Sequence, residues 1–341
     1  MTSKRRKPTI DMVARQSEVS KTTISRFLNG KYEYMSEETR NRIQRVVDEL
    51  NYRPNNFARS LKSNRSGLIG VVVADIASPF SSILVKGIGD LCNERGYQII
   101  TTNTDEDPQK ERDYLESLVG GEMVEGLIVN TTGMNDDLLS QLGHQGIPII
   151  LADRAMEHLE FDTITNDNYS MTRNALKHVV DSGFEHVAFF TQQIGRNSAR
   201  RTRFEAYLDF FEFEPNTAPF VYELDTNDSQ GVRKAIEHFR QRTNGRPAAI
   251  FAVNGVVSLA VLRSIAELGL HMPRDIGLCG YDDWEWATLV PPGITSIEQP
   301  SYEVGVEAAK RVIARIKGLK AKPKLIELPS TLRVRGSTKL K

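Results

Sequence analysis

The first fifty residues carry apolar positions at helical spacing in three short runs, each preceded by a hydroxyl side chain. The positions that share a face are Ile10, Val13 and Ala14 in the first run, Ile24, Phe27 and Leu28 in the second, and Ile43, Val46, Val47 and Leu50 in the third. Thr9, Ser20 and Ser36 are suited to cap these helices, because their side-chain oxygens accept from unpaired backbone N–H groups. The pattern predicts three short helices that bury their apolar stripes against one another.

From Leu68 the pattern changes to short β-rich runs that alternate with amphipathic helical stretches. It predicts strands at 68–73, 98–102, 126–129 and 147–151, then near 187–190, 219–223, 248–252 and 276–280, with a last strand near 331–334. Helices are expected between them, the first three near 81–95, 108–120 and 136–143. Strands that alternate with helices form parallel sheets covered on both faces, and the count predicts two such doubly wound lobes.

Composition narrows the class of protein. The 341 residues are 40% hydrophobic and 26% charged, and they contain no apolar run of bilayer-spanning length. The basic residues 4–7 are not followed by the apolar segment of a secretory signal, and the two cysteines, Cys92 and Cys279, lack metal-ligand spacing. We therefore expect a cytoplasmic protein with no membrane partner, no disulfide framework, and no metal or other cofactor.

The net charge of zero conceals an uneven distribution. Residues 1–65 hold 15 Lys and Arg against 7 Asp and Glu, a net of +8, so the remainder carries −8. The outward side chains of the second helix can all donate hydrogen bonds and none is acidic: Ser20, Lys21, Thr22, Ser25, Arg26 and Asn29. This favours a helix that enters the major groove of DNA. The alternative is a three-helix bundle with an ordinary polar face and a solvated basic tail.

Three motifs within the first 55 residues, the N-terminal head, resemble the lactose/galactose-repressor (LacI/GalR) family. They are TIDMVA at residues 9–14, VSKTTISR at 19–26 and LNYRPN at 50–55, and the likeness extends over nearly the whole chain. The resemblance implies that Lys21, Thr22 and Arg26 read bases. It also implies phosphate contacts, and the residues at those positions are Thr9, Ser20, Thr23, Ser25 and Asn29.

The resemblance further implies a fold and a domain organisation. A small all-α helix-turn-helix head is expected at residues 1–54, followed by a hinge helix and linker at 55–66. The rest is expected to be an α/β, periplasmic-binding-protein-like core of two doubly wound parallel-sheet lobes. The N-terminal lobe would comprise 67–165 and 298–327, and the C-terminal lobe 166–297 and 328–337.

The hinge is only weakly helical and is too short to form a stable helix alone in water. Hinge helices of the resembled family fold on the operator, pair across the dimer axis and lie in the minor groove. At the matching positions Leu61 would wedge the central base step, with Ala58 and Lys62 beside it. The alternative is that Leu61 packs between domains.

Ligands of doubly wound sheets bind beyond the carboxyl ends of the strands. The candidates by that rule are the segment from Asp75 to Phe80, and Asp153, Arg154, Arg203, Asn254, Asp282 and Asp283. The resemblance assigns ligand gripping to Arg203 and polyol binding to Asp282 and Asn254. It makes Phe80 and Trp284 apolar walls and places Gln299 near a crossover between the lobes. Departures from the family pattern are Gly255 in place of Asp, and Met171-Thr172 and Ala206 in place of glycines.

Arg154 and Arg203 favour an anionic ligand, because guanidinium groups pair well with carboxylates and phosphates. Asp282 and Asn254 suit hydroxyl groups, so a sugar acid or sugar phosphate is favoured over a neutral sugar. The head and residues 31–35 also resemble regulators of keto-deoxy-sugar-acid use. The alternative for either arginine is pairing with Asp153 or Asp282 in the empty protein.

A single head offers few contacts, and recognition of a palindrome requires a two-fold dimer. The family dimerises through its core, and the absence of a terminal heptad repeat favours a dimer over a tetramer. We expect a transcriptional regulator, most simply a repressor, that binds operator DNA as a homodimer under the control of a small molecule. Motifs of metalloproteases, serine hydrolases and Walker-type nucleotidases are missing, so an enzyme is not expected. A sugar-binding receptor without a regulatory role is the alternative.

Overall fold

The computed structural model describes residues 8–28, 30–52, 66–121, 123–212 and 219–340. The chain divides between Ser66 and Gly67 into two compact units, a head and a core. Within the described ranges, none of the helices combines the length and the apolar character needed to cross a bilayer.

The head contains three α-helices, α1 (Ile10–Gln16), α2 (Lys21–Leu28) and α3 (Glu37–Glu49), with a 3₁₀ turn at Tyr32–Tyr34. The predicted caps are present: the hydroxyl oxygens of Thr9, Ser20 and Ser36 each accept from the N–H three residues later, at 3.1–3.4 Å. The helices close on a core of Val13, Ala14, Ile24, Phe27, Ile43 and Val46. The three-helix prediction is confirmed, whereas the 3₁₀ turn has no signal in the apolar periodicity.

The N-terminal lobe is built on a six-stranded parallel sheet. Across the sheet its strands are β11 (Leu325–Leu328), β5 (Asp162–Asn166), β4 (Ile149–Ala152), β3 (Gly126–Val129), β1 (Leu68–Val73) and β2 (Gln98–Asn103). Its helices are α4 (Pro79–Glu94), α5 (Pro108–Gly120), α6 (Asp136–His144) and α12 (Ser301–Ile316). Alternate residues of β1 join two separate apolar clusters, one with α4 and α12 and the other with α5 and α6. Both faces are therefore covered, as expected for a doubly wound sheet.

The C-terminal lobe repeats this architecture. Across its sheet the strands are β12 (Thr331–Arg333), β10 (Thr295–Glu298), β9 (Gly277–Tyr281), β8 (Ala248–Ala252), β6 (His186–Thr191) and β7 (Phe220–Glu223). Its helices are α7 (Asn168–Asp181), α8 (Ser198–Glu212), α9 (Ser229–Arg242), α10 (Gly255–Glu267) and α11 (Trp286–Leu289), and a 3₁₀ turn follows at Gly336–Thr338. The edge strand β12 is antiparallel to β10, while the other pairs are parallel. The predicted pair of doubly wound lobes is confirmed.

The chain passes between the two sheets three times, after β5, after β10 and after β11. Side chains tie these crossovers together. The backbone N–H of Ser330 donates to Asp167 Oδ1 at 2.9 Å, and Asn166 Nδ2 donates to Gln299 Oε1 at 2.6 Å. The carboxyl ends of β5, β10 and β11 therefore lie close to one hydrogen-bonded junction.

The pattern of apolar runs did not predict three of the strands, β5, β10 and β11. In β5 the buried positions include Asp162, Thr163, Thr165 and Asn166. The Asp162 carboxylate is satisfied from distant parts of the chain: Arg311, Arg315 and the backbone N–H of Lys324 donate to it at 2.8–2.9 Å. A buried strand that is polar in this way is stable only with such long-range partners, which a local pattern does not reveal.

Helices α4 and α12 approach backbone to backbone through two glycines. A Cβ atom on Gly87 would overlap the carbonyl oxygen of Tyr302, and one on Gly305 would overlap the carbonyl oxygen of Leu84. Neither neighbour is a flexible side-chain end, so the helices would have to separate to admit a methyl group. This close contact packs α12 against α4 on one face of the N-terminal sheet.

Gly87→Ala is expected to lower the free energy of unfolding by about 1–3 kcal/mol, because the added methyl forces α4 away from α12. Gly89→Ala is the matched control in the same helix, since its Cβ would meet only Ile99 Cδ1, at 3.4 Å. The control should lie within about 1 kcal/mol of the parent, on the stabilising side if helix propensity dominates. Urea denaturation followed by circular dichroism measures both. Equal effects of the two substitutions would contradict the packing described here.

Candidate functional site

Helix α2 presents its polar residues to solvent and its apolar residues to the core of the head. Ile24 and Phe27 are buried, whereas Lys21, Thr22 and Arg26 are exposed. The three predicted base-reading side chains thus lie on the exposed side of one short helix. The outward surface of α2 carries hydrogen-bond donors of the kind that contact base edges in the major groove.

Two of these side chains have partners within the head. The Arg26 guanidinium lies over the Tyr34 ring, 4.9 Å from its centroid, and Lys21 Nζ lies 2.5 Å from Asp11 Oδ1. The absence of acid on α2 therefore does not describe the whole surface, because α1 contributes a carboxylate beside Lys21. Both contacts are exposed, so each is weak and can exchange for a contact to DNA.

The predicted phosphate-binding residues are only partly placed. Thr9 and Ser20 use a lone pair for capping, and Ser20 Oγ also hydrogen-bonds Thr23 Oγ1 at 3.0 Å. A capping hydroxyl keeps its proton, which remains suited to a phosphate oxygen. Ser25 lies exposed on α2. Asn29 and the minor-groove candidates Ala58, Leu61 and Lys62 lie outside the described residues.

In the core, Gln299 connects the strongest ligand candidates. Its Oε1 accepts from Arg203 Nη2 at 2.8 Å, and its Nε2 donates to Asp282 Oδ1 at 2.5 Å. The other oxygen of Asp282 accepts from the backbone N–H of Gly255 at 2.7 Å. Arg203, Asp282 and Gln299, chosen from distant parts of the sequence, form one network at the crossover.

Arg203 is almost fully buried and held from several sides. Its Nη1 donates to the carbonyl of Val253 at 2.7 Å and its Nε to Asn168 Oδ1 at 2.8 Å, while the guanidinium lies 3.6 Å from the centroid of the Tyr281 ring. Burial raises the pKa of Asp282 above its ordinary value, although the charge of Arg203 and the N–H of Gly255 act in the opposite direction. The Arg203 guanidinium and the Asp282 carboxyl group are therefore linked through Gln299 and not by a direct ion pair.

The two lobes place an aspartate in the same backbone conformation at the end of a strand. Asp153 follows β4 with φ +68°, and Asp282 follows β9 with φ +72°. Non-glycine residues rarely adopt this left-handed region, and aspartate is among those that tolerate it. Both side chains are buried. Left-handed conformations at strand ends cluster at ligand sites, which marks this junction as a candidate site in both lobes.

Arg154 does not pair mainly with its neighbour Asp153, as one alternative in the sequence analysis allowed. Its two terminal nitrogens donate to both oxygens of Glu106, at 2.9 and 2.7 Å, and Asp153 lies 3.8 Å from its Nε. Arg200, on α8 in the C-terminal lobe, donates to the same carboxylate at 3.2 Å. Burial disfavours ionised Glu106, but Arg154 and then Arg200 outweigh burial and hold the pKa of Glu106 below its ordinary value.

Glu106 and Arg200 were absent from the candidates drawn from the sequence. Both had a signal: Glu106 follows the carboxyl end of β2, and Arg200 lies one helical turn before Arg203 on α8. The rule that ligands bind beyond the carboxyl ends of the strands therefore applies to Glu106 as well. A three-residue spacing on a helix predicts that Arg200 and Arg203 face the same side.

The remaining candidates have local roles. Asn254 caps α10 by accepting from Val257 N at 3.0 Å, and it donates to Gln192 at 2.8 Å. Asp75 accepts from the N–H of Ala77 within its own loop. Phe80 belongs to the apolar cluster between the sheet and α4. Phe80 is 9% exposed, and its expected role as an apolar wall of the ligand site stays a prediction.

Comparison with known proteins decides the family. Residues 9–55 match the bacterial regulatory proteins of the lacI family, and residues 176–338 match the periplasmic binding protein-like domain. The HTH-type transcriptional regulator KdgR of Bacillus subtilis is 41% identical over 330 residues, covering 96% of this chain and 97% of KdgR. PtxS of Pseudomonas aeruginosa is 36% identical over 330 residues, covering 97% of this chain and 95% of PtxS. The chain belongs to the LacI family.

Solved structures agree with this LacI-family fold. The lac repressor dimer bound to operator and the anti-inducer ONPF superposes with a TM-score of 0.82 at 22% identity, covering 98% of this chain and 99% of that one. The transcriptional regulator CelR in complex with cellobiose superposes with a TM-score of 0.68 at 25% identity, covering 97% and 99%. The predicted fold class and family resemblance are confirmed. The protein is a LacI-family transcriptional regulator with a helix-turn-helix DNA-binding domain and an effector-binding core.

Gly255, one of the positions that depart from the pattern expected from the family resemblance, has a structural explanation. A Cβ atom at this position would lie 2.7 Å from the Trp284 ring. The indole therefore occupies the space of a side chain at 255 and packs on the first turn of α10, with Trp286 at its edge, 6.0 Å between centroids. The glycine and the tryptophan form a matched pair beside Asp282.

Gly255→Ala is expected to destabilise the core by about 1–3 kcal/mol and to displace the Trp284 indole. Trp284 and Trp286 are the only tryptophans of the chain, so intrinsic fluorescence reports this displacement directly. In a Trp284→Ala background the same glycine substitution should cost far less, because the colliding ring is gone. Strictly additive effects in this double-mutant cycle would rule out the proposed pairing.

Proposed function

We propose that the protein is a homodimeric repressor that binds a palindromic operator and responds to an acidic sugar, most simply a sugar acid, in the cleft between its lobes. The observation that carries the ligand class is the low exposure of three arginines: Arg154 and Arg203 are buried, and the Arg200 side chain is 13% exposed. Guanidinium groups in such a low-dielectric position favour a ligand with a carboxylate or phosphate.

Carboxylate and amide groups around the arginines suit the hydroxyls of the same ligand. Asp282, Gln299 and Asn254 offer acceptors and donors at the carboxyl ends of the C-terminal strands, and Asp153 offers acceptors from the other lobe. Trp284 supplies an apolar ring face of the kind that packs on a sugar. The resemblance of the head to regulators of keto-deoxy-sugar-acid use supports the same class, with a sugar phosphate as the second candidate.

On the DNA side, Lys21, Thr22 and Arg26 are proposed to read bases in the major groove. The phosphate contacts are assigned to Thr9, Ser20, Thr23, Ser25 and Asn29. Residues 55–66 would act as the hinge, with Leu61 wedged into the minor groove and Ala58 and Lys62 beside it. Such a site requires two heads related by a two-fold axis, hence a homodimer.

Regulation would arise from coupling between the cleft and the DNA. The proposed lobes, 67–165 with 298–327 and 166–297 with 328–337, are joined by the crossovers that carry Gln299, so a ligand bound to the Gln299 network would bias the angle between them. A change of about 100-fold in operator affinity requires a coupling free energy of only about 2.7 kcal/mol. We propose that the protein acts in the cytoplasm, where operator DNA is accessible, and performs no catalysis.

Arg26→Ala is expected to relax specificity at one base position in each half-site, with a loss of about 1–3 kcal/mol on the preferred operator, because a bidentate base contact disappears. Arg45→Ala on α3 removes the same charge outside the recognition helix and should weaken binding to all sequences alike. Selection of binding sites from a random duplex pool measures both. An unchanged site preference for Arg26→Ala would remove this residue from base reading.

Arg203→Lys is expected to abolish the response to ligand while leaving operator binding intact, since a lysine cannot reproduce the three-sided contacts of the guanidinium. Arg201→Lys, two residues away on α8, is the control. The Arg201 side chain is 44% exposed, and its ion pair with Glu205 is long, at 4.0 Å. Fluorescence anisotropy of labelled operator, titrated with sugar acids and sugar phosphates, measures the response. A normal response in Arg203→Lys would argue against the Gln299 network as the ligand site.

A further inference from the structure

Glu106 projects from a turn that fixes its backbone. It follows β2 in the left-handed conformation, with φ +58°, and its predecessor Asp105 has φ +54°. The Glu106 N–H donates to the carbonyl of Ala74 at 2.8 Å, and the next residue, Asp107, caps α5 by accepting from two backbone N–H groups. The turn is therefore held between β1 and α5, and Glu106 has little backbone freedom.

The Glu106 carboxylate occupies the place where two guanidinium groups converge. Arg154 binds both of its oxygens from the N-terminal lobe, and Arg200 binds Oε1 from the C-terminal lobe. A two-pronged contact to one arginine and a single contact to another is also the arrangement in which proteins bind the carboxylate of a ligand. Glu106 is thus an anion of the protein itself in the position where Arg154 and Arg200 could hold the carboxylate of a ligand.

The three side chains differ in how easily they can leave this arrangement. Glu106 is 37% exposed, whereas the side chains of Arg154 and Arg200 are only 10% and 13% exposed. Arg154 also donates to the carbonyl of Thr131 at 3.1 Å, and Arg200 to the carbonyl of Gln193 at 3.0 Å. A rotation about its side-chain bonds takes the carboxylate of Glu106 into water, while the arginines stay anchored to the backbone.

We propose that Glu106 is a resident counter-anion, which the acidic group of the ligand displaces from Arg154 and Arg200 and which thereby sets the selectivity of the cleft for ligand charge. This inference rests on the proposed function, in which the ligand is acidic. Glu106 bridges the lobes in the structure, so its displacement also transfers the bridging role from the protein to the ligand.

Competition gives this role a measurable sign. An anionic ligand has to break the contacts of Glu106 before it forms its own, so Glu106 lowers the affinity for acids. A neutral polyol does not compete for the guanidinium groups. A carboxylate that merely orients the arginines would act in the opposite direction, because its removal would disorder the site and weaken the binding of acids.

The test compares Glu106→Gln with Asp105→Asn in the full-length protein by isothermal titration calorimetry. Gln preserves the shape of Glu106 without its charge. Asp105 is a matched control in the same turn, with the same left-handed backbone, and pairs with Lys110 at 2.7 Å. The probes are D-gluconate and its neutral counterpart D-sorbitol, D-galacturonate and D-galactose, and 2-keto-3-deoxygluconate.

For Glu106→Gln, affinity for at least one acid should rise about tenfold or more, with little change for the neutral probes. Asp105→Asn should behave as the parent. If an acid binds the parent but binds Glu106→Gln equally or more weakly, the counter-anion is overturned while an acidic effector stands. If no acid binds the parent or Glu106→Gln, both proposals fail. Binding of an acid only by Glu106→Gln would support both.

Discussion

The side-chain amide of Gln299 fixes the arrangement of charge at the junction of the two lobes. An amide has one acceptor end and one donor end, so it can stand between a cation and an anion and satisfy both. Here the acceptor end binds Arg203 and Asn166, and the donor end binds Asp282. Because Gln299 lies on a crossover, the same side chain orients the C-terminal ligand candidates and ties them to Asn166, at the end of strand β5 of the N-terminal sheet.

The apolar pattern predicted the architecture because most helices and strands of this protein have a signal in their own local sequence. The head helices have a hydroxyl cap and a stripe of apolar residues, and β1, β3 and β8 are short runs that are buried throughout or nearly so. Strand β5 is the informative exception. Its charge at Asp162 is neutralised by Arg311 and Arg315, about 150 residues away in sequence, and no window of local sequence contains both sides of that interaction.

The candidate site divides along the same line. Position relative to a strand end was enough to select Asp153, Arg154 and Asp282, since backbone topology alone brings strand ends together. Partner choice was not predictable, because it depends on distances between side chains. Arg154 has an acidic neighbour in the sequence, Asp153, but that carboxylate lies 3.8 Å from its Nε. Glu106 binds Arg154 through both carboxylate oxygens instead. Phe80 lies in the first turn of α4 and packs into the apolar cluster beside the sheet, and its role as an apolar wall of the ligand site stays a prediction.

The two arginines Arg154 and Arg200, which the protein neutralises with its own Glu106, are subject to a particular physical constraint. Unpaired guanidinium groups are costly to bury, so the proposed acid-binding site needs an anion from the protein whenever the ligand is absent. If that anion came from the same lobe alone, ligand exchange would leave the interlobe contacts unchanged. Glu106 instead touches Arg154 in one lobe and Arg200 in the other. Exchange of this carboxylate for one that belongs to a ligand therefore necessarily alters an interlobe contact, which is the requirement for a binding event to change the angle between lobes.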